Sequence, residues 1–183
     1  MKSKVAATIE DLYRLPDDVK AELVDGEIKI MSPTGFLPNN AAGAIYASLR
    51  EYARRTGSGH ALTDNAGFIV RLPNRKLFSP DAAFYAGKPT GMRFLEGPPI
   101  FAVEVRSEGD YDAQAESEIA RKRADYFTAG TLVVWDVDLL ADEIIKSYKP
   151  SDPKRPVIYR RGEIADAEPA VPGWQIAVDE LFV

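Results

Sequence analysis

Two short apolar stretches, Ser79–Tyr85 and Pro99–Ser107, each carry one carboxylate where a buried strand should carry none. Both are bounded by turn formers and have the length of core strands. In the first, Asp81 follows Pro80 and precedes Ala82-Ala83-Phe84-Tyr85; in the second, Glu104 follows Ile100-Phe101-Ala102-Val103. A lone acid taken out of water costs several kcal/mol unless a metal, a cation or hydrogen bonds compensate. Two acids on successive strands suggest one shared compensator, and a divalent cation is the simplest.

Composition narrows which cation that is. The chain has no cysteine, which excludes disulfides, thiol catalysis and thiolate zinc sites, and a single histidine, His60, which excludes multi-histidine centres. The ligands must then be oxygens, as Mg²⁺, Mn²⁺ or Ca²⁺ prefer. At 183 residues one domain, 1–183, is expected. No run approaches the roughly 18 apolar residues of a membrane span. The start, Met1-Lys2-Ser3-Lys4-Val5-Ala6-Ala7, is basic without an apolar secretory core, so a cytoplasmic location is the default expectation. A net charge of −5 argues against loose, sequence-independent nucleic-acid binding. Positive charge clusters locally all the same, at Arg50/Arg54/Arg55, Arg71/Arg75/Lys76 and Arg121/Lys122/Arg123.

Along the chain, Thr8 opens a short helix that stops at Pro16. The runs on either side of Asp25-Gly26 form a hairpin with Ile28 and Ile30 on one face. Ser32–Pro38 is a loop, and a helix is expected from Asn39 or Asn40 to Arg55 on the stripe Ala41, Ala44, Ile45, Ser48, Leu49, Tyr52. His60–Leu62 and Ala66–Leu72 are strands, with a turn over Pro73–Lys76, and the Asp81 and Glu104 strands follow, separated by a Gly- and Pro-marked loop. A helix over Ala113–Ala129 closes on Gly130, and Leu132–Asp138 is another buried strand. Glu143–Tyr148 pairs with Pro156–Arg160, and a turn ends the tail after Trp174-Gln175-Ile176. The fold class is therefore α/β, a mixed sheet flanked by helices, with an N-terminal hairpin and extra C-terminal strands. Strand, long helix and strand from Glu104 to Trp135 make a βαβ unit, whose strands should run parallel.

Lys122 shares a helix face with Ile119 and Tyr126, the face most able to meet the sheet. An ammonium there would meet both acids and could hold a water or stabilise charge on a phosphate. Taken singly, each residue has a plainer reading. Asp81 could cap a local turn, Glu104 could pair with Arg106 or Arg121, and Lys122 could belong to a solvated charge run. Glu22 could be an ordinary strand residue, Tyr126 and Trp135 core, and His60 merely exposed. The functional case rests on their conjunction.

In their order and spacing, Glu22-Leu23-Val24-Asp25-Gly26-Glu27, Met31-Ser32-Pro33-Thr34, Pro80-Asp81, Glu104-Val105-Arg106-Ser107, Lys122 with Tyr126, Gly130 and Trp135-Asp136-Val137-Asp138 resemble the Uma2 (DUF820) family over roughly residues 8–140. That family is part of the restriction-endonuclease-like, PD-(D/E)xK superfamily. The resemblance implies a Mg²⁺-dependent endonuclease, with Mn²⁺ as a substitute, that hydrolyses phosphodiester bonds of nucleic acid, DNA foremost. It implies that Asp81 and Glu104 hold the metal, helped by a strand carbonyl near Val105, and that Lys122 positions the attacking water, with Glu22 as a fourth site residue. The superfamily's usual lysine position is Arg106 here, on the Glu104 face by period 2. Family members often carry a histidine after the Ser-Pro-Thr loop, where this chain has Pro38, Asn39 and Asn40. Nucleases of this fold often pair to cut two strands, which leaves a homodimer open. The alternative reading is a catalytically silent binding or regulatory module.

Overall fold

The computed structural model describes residues 6–16 and 19–182, so the basic start of the chain, up to residue 5, lies outside the described residues. Helix α1 (Ile9–Leu12) begins where a capping box forms. The Thr8 hydroxyl accepts from the Asp11 N–H, and the Asp11 carboxylate accepts from the Thr8 N–H at 2.9 Å. Strands β1 (Ala21–Val24) and β2 (Glu27–Ile30) form the expected hairpin. Asp25 and Gly26 turn it with φ of 52° and 74°, the left-handed pair that a type I′ turn requires. Helix α2 (Phe36–Thr56) starts earlier than the expected Asn39. Pro38 sits in its first turn, where the N–H that proline lacks would have no helical partner, so it does not delay the helix.

Next come β3 (His60–Thr63), β4 (Phe68–Ile69), β5 (Arg75–Phe78), β6 (Ala82–Tyr85), β7 (Leu95–Glu96) and β8 (Phe101–Val105). Helix α3 (Ala113–Ala129) ends on Gly130 in the left-handed conformation, as the sequence implies. It leads to β9 (Val133–Val137), β10 (Ile145–Lys149), β11 (Asp152–Tyr159), β12 (Ile164–Asp166), β13 (Gln175–Ala177) and a 3-10 turn at Val178–Phe182. Two expectations change here. The Ala66–Leu72 strand shrinks to Phe68–Ile69, and Arg75 and Lys76, expected in a turn, open β5.

The expected single mixed sheet is instead divided. A six-stranded sheet runs β11-β10-β9-β8-β6-β3, a five-stranded one β2-β1-β5-β4-β7, and β12 pairs with β13. The N-terminal hairpin therefore extends a second layer. Within the larger sheet β8 and β9 are parallel, as the βαβ connection through α3 demands, and Glu104 pairs in register with Asp136.

Alternation sorts the strand residues between two cores. One face of the larger sheet offers Ala82, Phe84, Phe101, Val103, Val133 and Trp135 to α2 and to Trp174. The other presents Ala83, Tyr85, Ala102 and Val134 to Tyr126 of α3 and to Phe68 and Phe78 of the smaller sheet. Small side chains at 83 and 102 leave room for Tyr126, whose ring stacks on Phe78 at 3.9 Å between centroids. By period 2, Asp81, Glu104, Arg106 and Asp136 continue that second face past the end of its apolar cluster.

Candidate active site

Asp81 lies one step beyond the antiparallel pair Ala82↔Val103, and its N–H donates to the Val103 carbonyl at 3.0 Å. It is thereby the cross-strand neighbour of Glu104, at a spacing where like charges repel and something must compensate them. The structure supplies the same arrangement to each acid. One oxygen accepts from a neutral donor and the other from an ammonium. Asp81 Oδ2 takes the Val105 N–H at 2.8 Å, and its Oδ1 takes Lys20 Nζ at 2.8 Å. Glu104 Oε1 takes the Tyr126 hydroxyl at 2.6 Å, and its Oε2 takes Lys122 Nζ at 2.7 Å.

Each lysine also reaches a second carboxylate. Lys122 bridges to Glu22 Oε1 at 2.9 Å, and Lys20 bridges to Asp64. Glu22 is fully enclosed: Oε1 also accepts from the Ser79 N–H at 2.9 Å, and Oε2 accepts from Arg75 at 2.5 Å. Behind it Arg75 donates to Asp125 at 2.9 Å, and the Asn74 amide donates to both Asp125 oxygens. A charged chain thus runs from Glu104 through Lys122, Glu22 and Arg75 to Asp125, and it fixes the helix carrying Lys122 against β1 and β5.

The environment sets the protonation states. Burial pushes the Glu104 carboxyl up to about 7; Lys122 pulls it back, while the charges of Asp81 and Glu22 add to the rise. Burial also works against charge on Glu22, but Lys122 and Arg75 outweigh it and hold that carboxyl below its ordinary value. For Lys122, burial is overcome by Glu104 and Glu22, which keep the ammonium firmly protonated. Burial likewise opposes the Lys20 charge, and Asp81 and Asp64 restore it.

All four expected site residues, Asp81, Glu104, Lys122 and Glu22, line one cleft of about 860 Å³. Val105 joins them through its N–H on Asp81. Arg106, although it lines the same cleft, turns away from Glu104. Its Nε and Nη2 each donate to one oxygen of Asp136 at 2.8 Å, and it also pairs with Glu116. Arg121 pairs with Asp25 instead of Glu104, so neither arginine weighed as a partner for Glu104 serves as one. Tyr126 is both core and site, since its hydroxyl reaches Glu104 from a buried ring.

Sequence reasoning missed Lys20, Arg75 and Asp125. Lys20 precedes Glu22 by two residues, so strand alternation around Glu22 would have put both on one face. Asp125 follows Lys122 by three and shares its helix face. Arg75 had no such signal, because its place was taken for a turn.

Among the described residues no three acidic or histidine side chains converge into a metal cage. A hard cation here would rest on the Asp81 and Glu104 carboxylates with water completing its shell, oxygen donors of the kind Mg²⁺ takes. The two oxygens now held by lysines already face positive charge, so the donor chemistry suits a cation.

Residues 9–179 match the family model of Uma2, described as "Putative restriction endonuclease". The fold is similar to that of a solved protein of Anabaena variabilis ATCC 29413, described as "a putative nuclease belonging to DUF820". The TM-score is 0.74, over 96% of this chain and 97% of that one, at 12% sequence identity, a likeness of fold alone. No curated protein matches the chain.

Proposed function

This chain belongs to the Uma2 family, and we propose that it hydrolyses phosphodiester bonds of nucleic acid, DNA foremost, with Mg²⁺ held by Asp81 and Glu104. The observation that carries this reading is the matched pair of acids, each with one oxygen on a neutral donor and one on a lysine. A bound Mg²⁺ would supply positive charge to the phosphoryl group and acidify a water. The remaining chemistry belongs to the chain. Lys122, kept charged and anchored by Glu22, offers an ammonium beside Glu104 that orients the attacking water and stabilises charge developing on the phosphate. The Tyr126 hydroxyl fixes Glu104 by Oε1, which leaves Oε2, on the Lys122 side, to the cation and the water.

The rim explains why the cation is needed for binding as well. Lys29 and Arg121 stand at the cleft but face Glu118 and Asp25, so among the described residues the rim offers few unpaired cations to a phosphate backbone. The test is cleavage of plasmid and of oligonucleotides with Mg²⁺, with Mn²⁺ and with a chelator. Wild type should cut only with metal, whereas Asp81→Ala and Glu104→Ala should stay folded and lose on the order of a thousandfold or more in rate. Equal rates in all three proteins would end the proposal.

One observation favours a second reading: lysines already compensate both acids without a metal. In that case the protein is a silent nuclease-fold module, and Mn²⁺ would leave its melting temperature unchanged.

A further inference from the structure

Lys20 lies outside every motif that marks the site, yet its ammonium sits on Asp81 and on Asp64 at once. Its side chain is 14% exposed, as is that of Asp81, whereas Asp64 is 40% exposed and opens towards solvent. The pair therefore has an inner and an outer acceptor for a single charge. Lys122 likewise bridges two carboxylates, but there the order is reversed: Glu104 at the cleft is 25% exposed and the second acceptor, Glu22, is enclosed at 4%. Resting on the reading of Asp81 and Glu104 as cation ligands, we propose that Lys20 is a place-holder for the divalent cation. It neutralises Asp81 Oδ1 while the cation is absent and transfers to Asp64 when the cation takes that oxygen.

Three features of the geometry support this. Asp81 Oδ2 stays on the Val105 N–H, so the carboxylate keeps its orientation while Oδ1 changes partner. The Lys20 ammonium already touches both acceptors, so the exchange needs a small movement on a flexible stem and no new contact. An ammonium makes no planar fork, so it binds the oxygen without closing off the whole carboxylate. Asp64 then has a function in the site although it is not a ligand: it keeps Lys20 satisfied after displacement, and so makes metal entry easier.

The experiment is calorimetric titration of Mn²⁺ into wild type, Lys20→Met, Asp64→Asn and the double variant, with thermal melts in chelator to verify folding. Lys20→Gln stands in should the methionine variant not fold. Removing the competing ammonium should tighten Mn²⁺ binding about tenfold, equivalent to one modest charge interaction. Asp64→Asn should weaken binding by several-fold in the presence of Lys20 and have little effect in the Lys20→Met background. An Asp64→Asn effect of equal size in both backgrounds would mean simple attraction of the ion, and would overturn the proposal. So would unchanged or weaker binding by Lys20→Met. If wild type and every variant fail to bind Mn²⁺, the reading of Asp81 and Glu104 as ligands fails first and this one with it.

Discussion

Glu104 and Asp136 are neighbours on adjacent parallel strands, on the same sheet face, yet the chain treats them differently. Asp136 is gripped by Arg106, whose planar guanidinium puts Nε on one oxygen and Nη2 on the other, both at 2.8 Å. Glu104 is held at one oxygen by a tyrosine hydroxyl and at the other by an ammonium. A bidentate arginine fork closes a carboxylate geometrically and never loses its charge. A lysine is a point charge on a flexible stem and can be exchanged for another cation. The arginine-held acid is thus built into the frame, whereas the lysine-held acids, Glu104 and Asp81, stay open to chemistry. On the proposed function, the kind of cation beside Glu104, Asp81 and Asp136 marks the two roles, where burial alone does not.

The sharpest way to break this contrast is to remove each cation. Arg106 and Lys122 are 8% and 14% exposed in their side chains, so Arg106→Ala and Lys122→Met should each cost about 3–5 kcal/mol by leaving buried acids uncompensated. Denaturant melts should then part them. Saturating Mn²⁺ should recover about 1–3 kcal/mol more in Lys122→Met, where it also relieves the uncompensated Glu104, than in Arg106→Ala, which should gain only what wild type gains. Equal recovery, or none in either, would erase the distinction.

A smaller effect follows from the raised Glu104 carboxyl. Its pKa rises from an ordinary 4.5 to about 7 in the folded protein, so the native state holds this proton more tightly than the unfolded chain does. Its contribution to stability is complete below about pH 4.5 and is lost as pH rises through 7. Without metal, wild type should lose on the order of 2 kcal/mol relative to Glu104→Gln between pH 4.5 and 8, measured by urea unfolding. The opposite slope would mean that Lys122 keeps Glu104 ionised throughout. Smallest of all, Tyr126→Phe keeps the stack on Phe78 but removes one donor from Glu104, at a cost of about 1 kcal/mol. The acidic limb of the cleavage pH profile should move to higher pH, because the charged carboxylate loses a hydrogen bond.

What could be read from the sequence was local, or one strand away. The Asp25-Gly26 turn, the Thr8 cap, the Gly130 helix end and the βαβ link each depend on neighbouring residues, and all are present. Asp81 and Glu104 were legible because an acid in an apolar run is an anomaly at any range, and Lys122 because helix period aims it at the sheet. Lys122 was expected to meet both acids, but it meets Glu104 and Glu22, and the ammonium on Asp81 is that of Lys20. The division into two sheets was not legible, since β1 joins β5 across some fifty residues through pairs such as Leu23↔Leu77. Lys20, Arg75 and Asp125 stayed hidden for the same reason: their partners, Asp81, Glu22 and Arg75, lie fifty or more residues away in the chain.

Diffraction from crystals soaked in Mn²⁺ tests the central claim most directly. The account predicts an anomalous peak between Asp81 and Glu104, with Lys20 drawn onto Asp64 and the Arg106–Asp136 pair unmoved. Saturating Mn²⁺ with no peak there, and with Lys20 and Lys122 still seated on both acids, would contradict it.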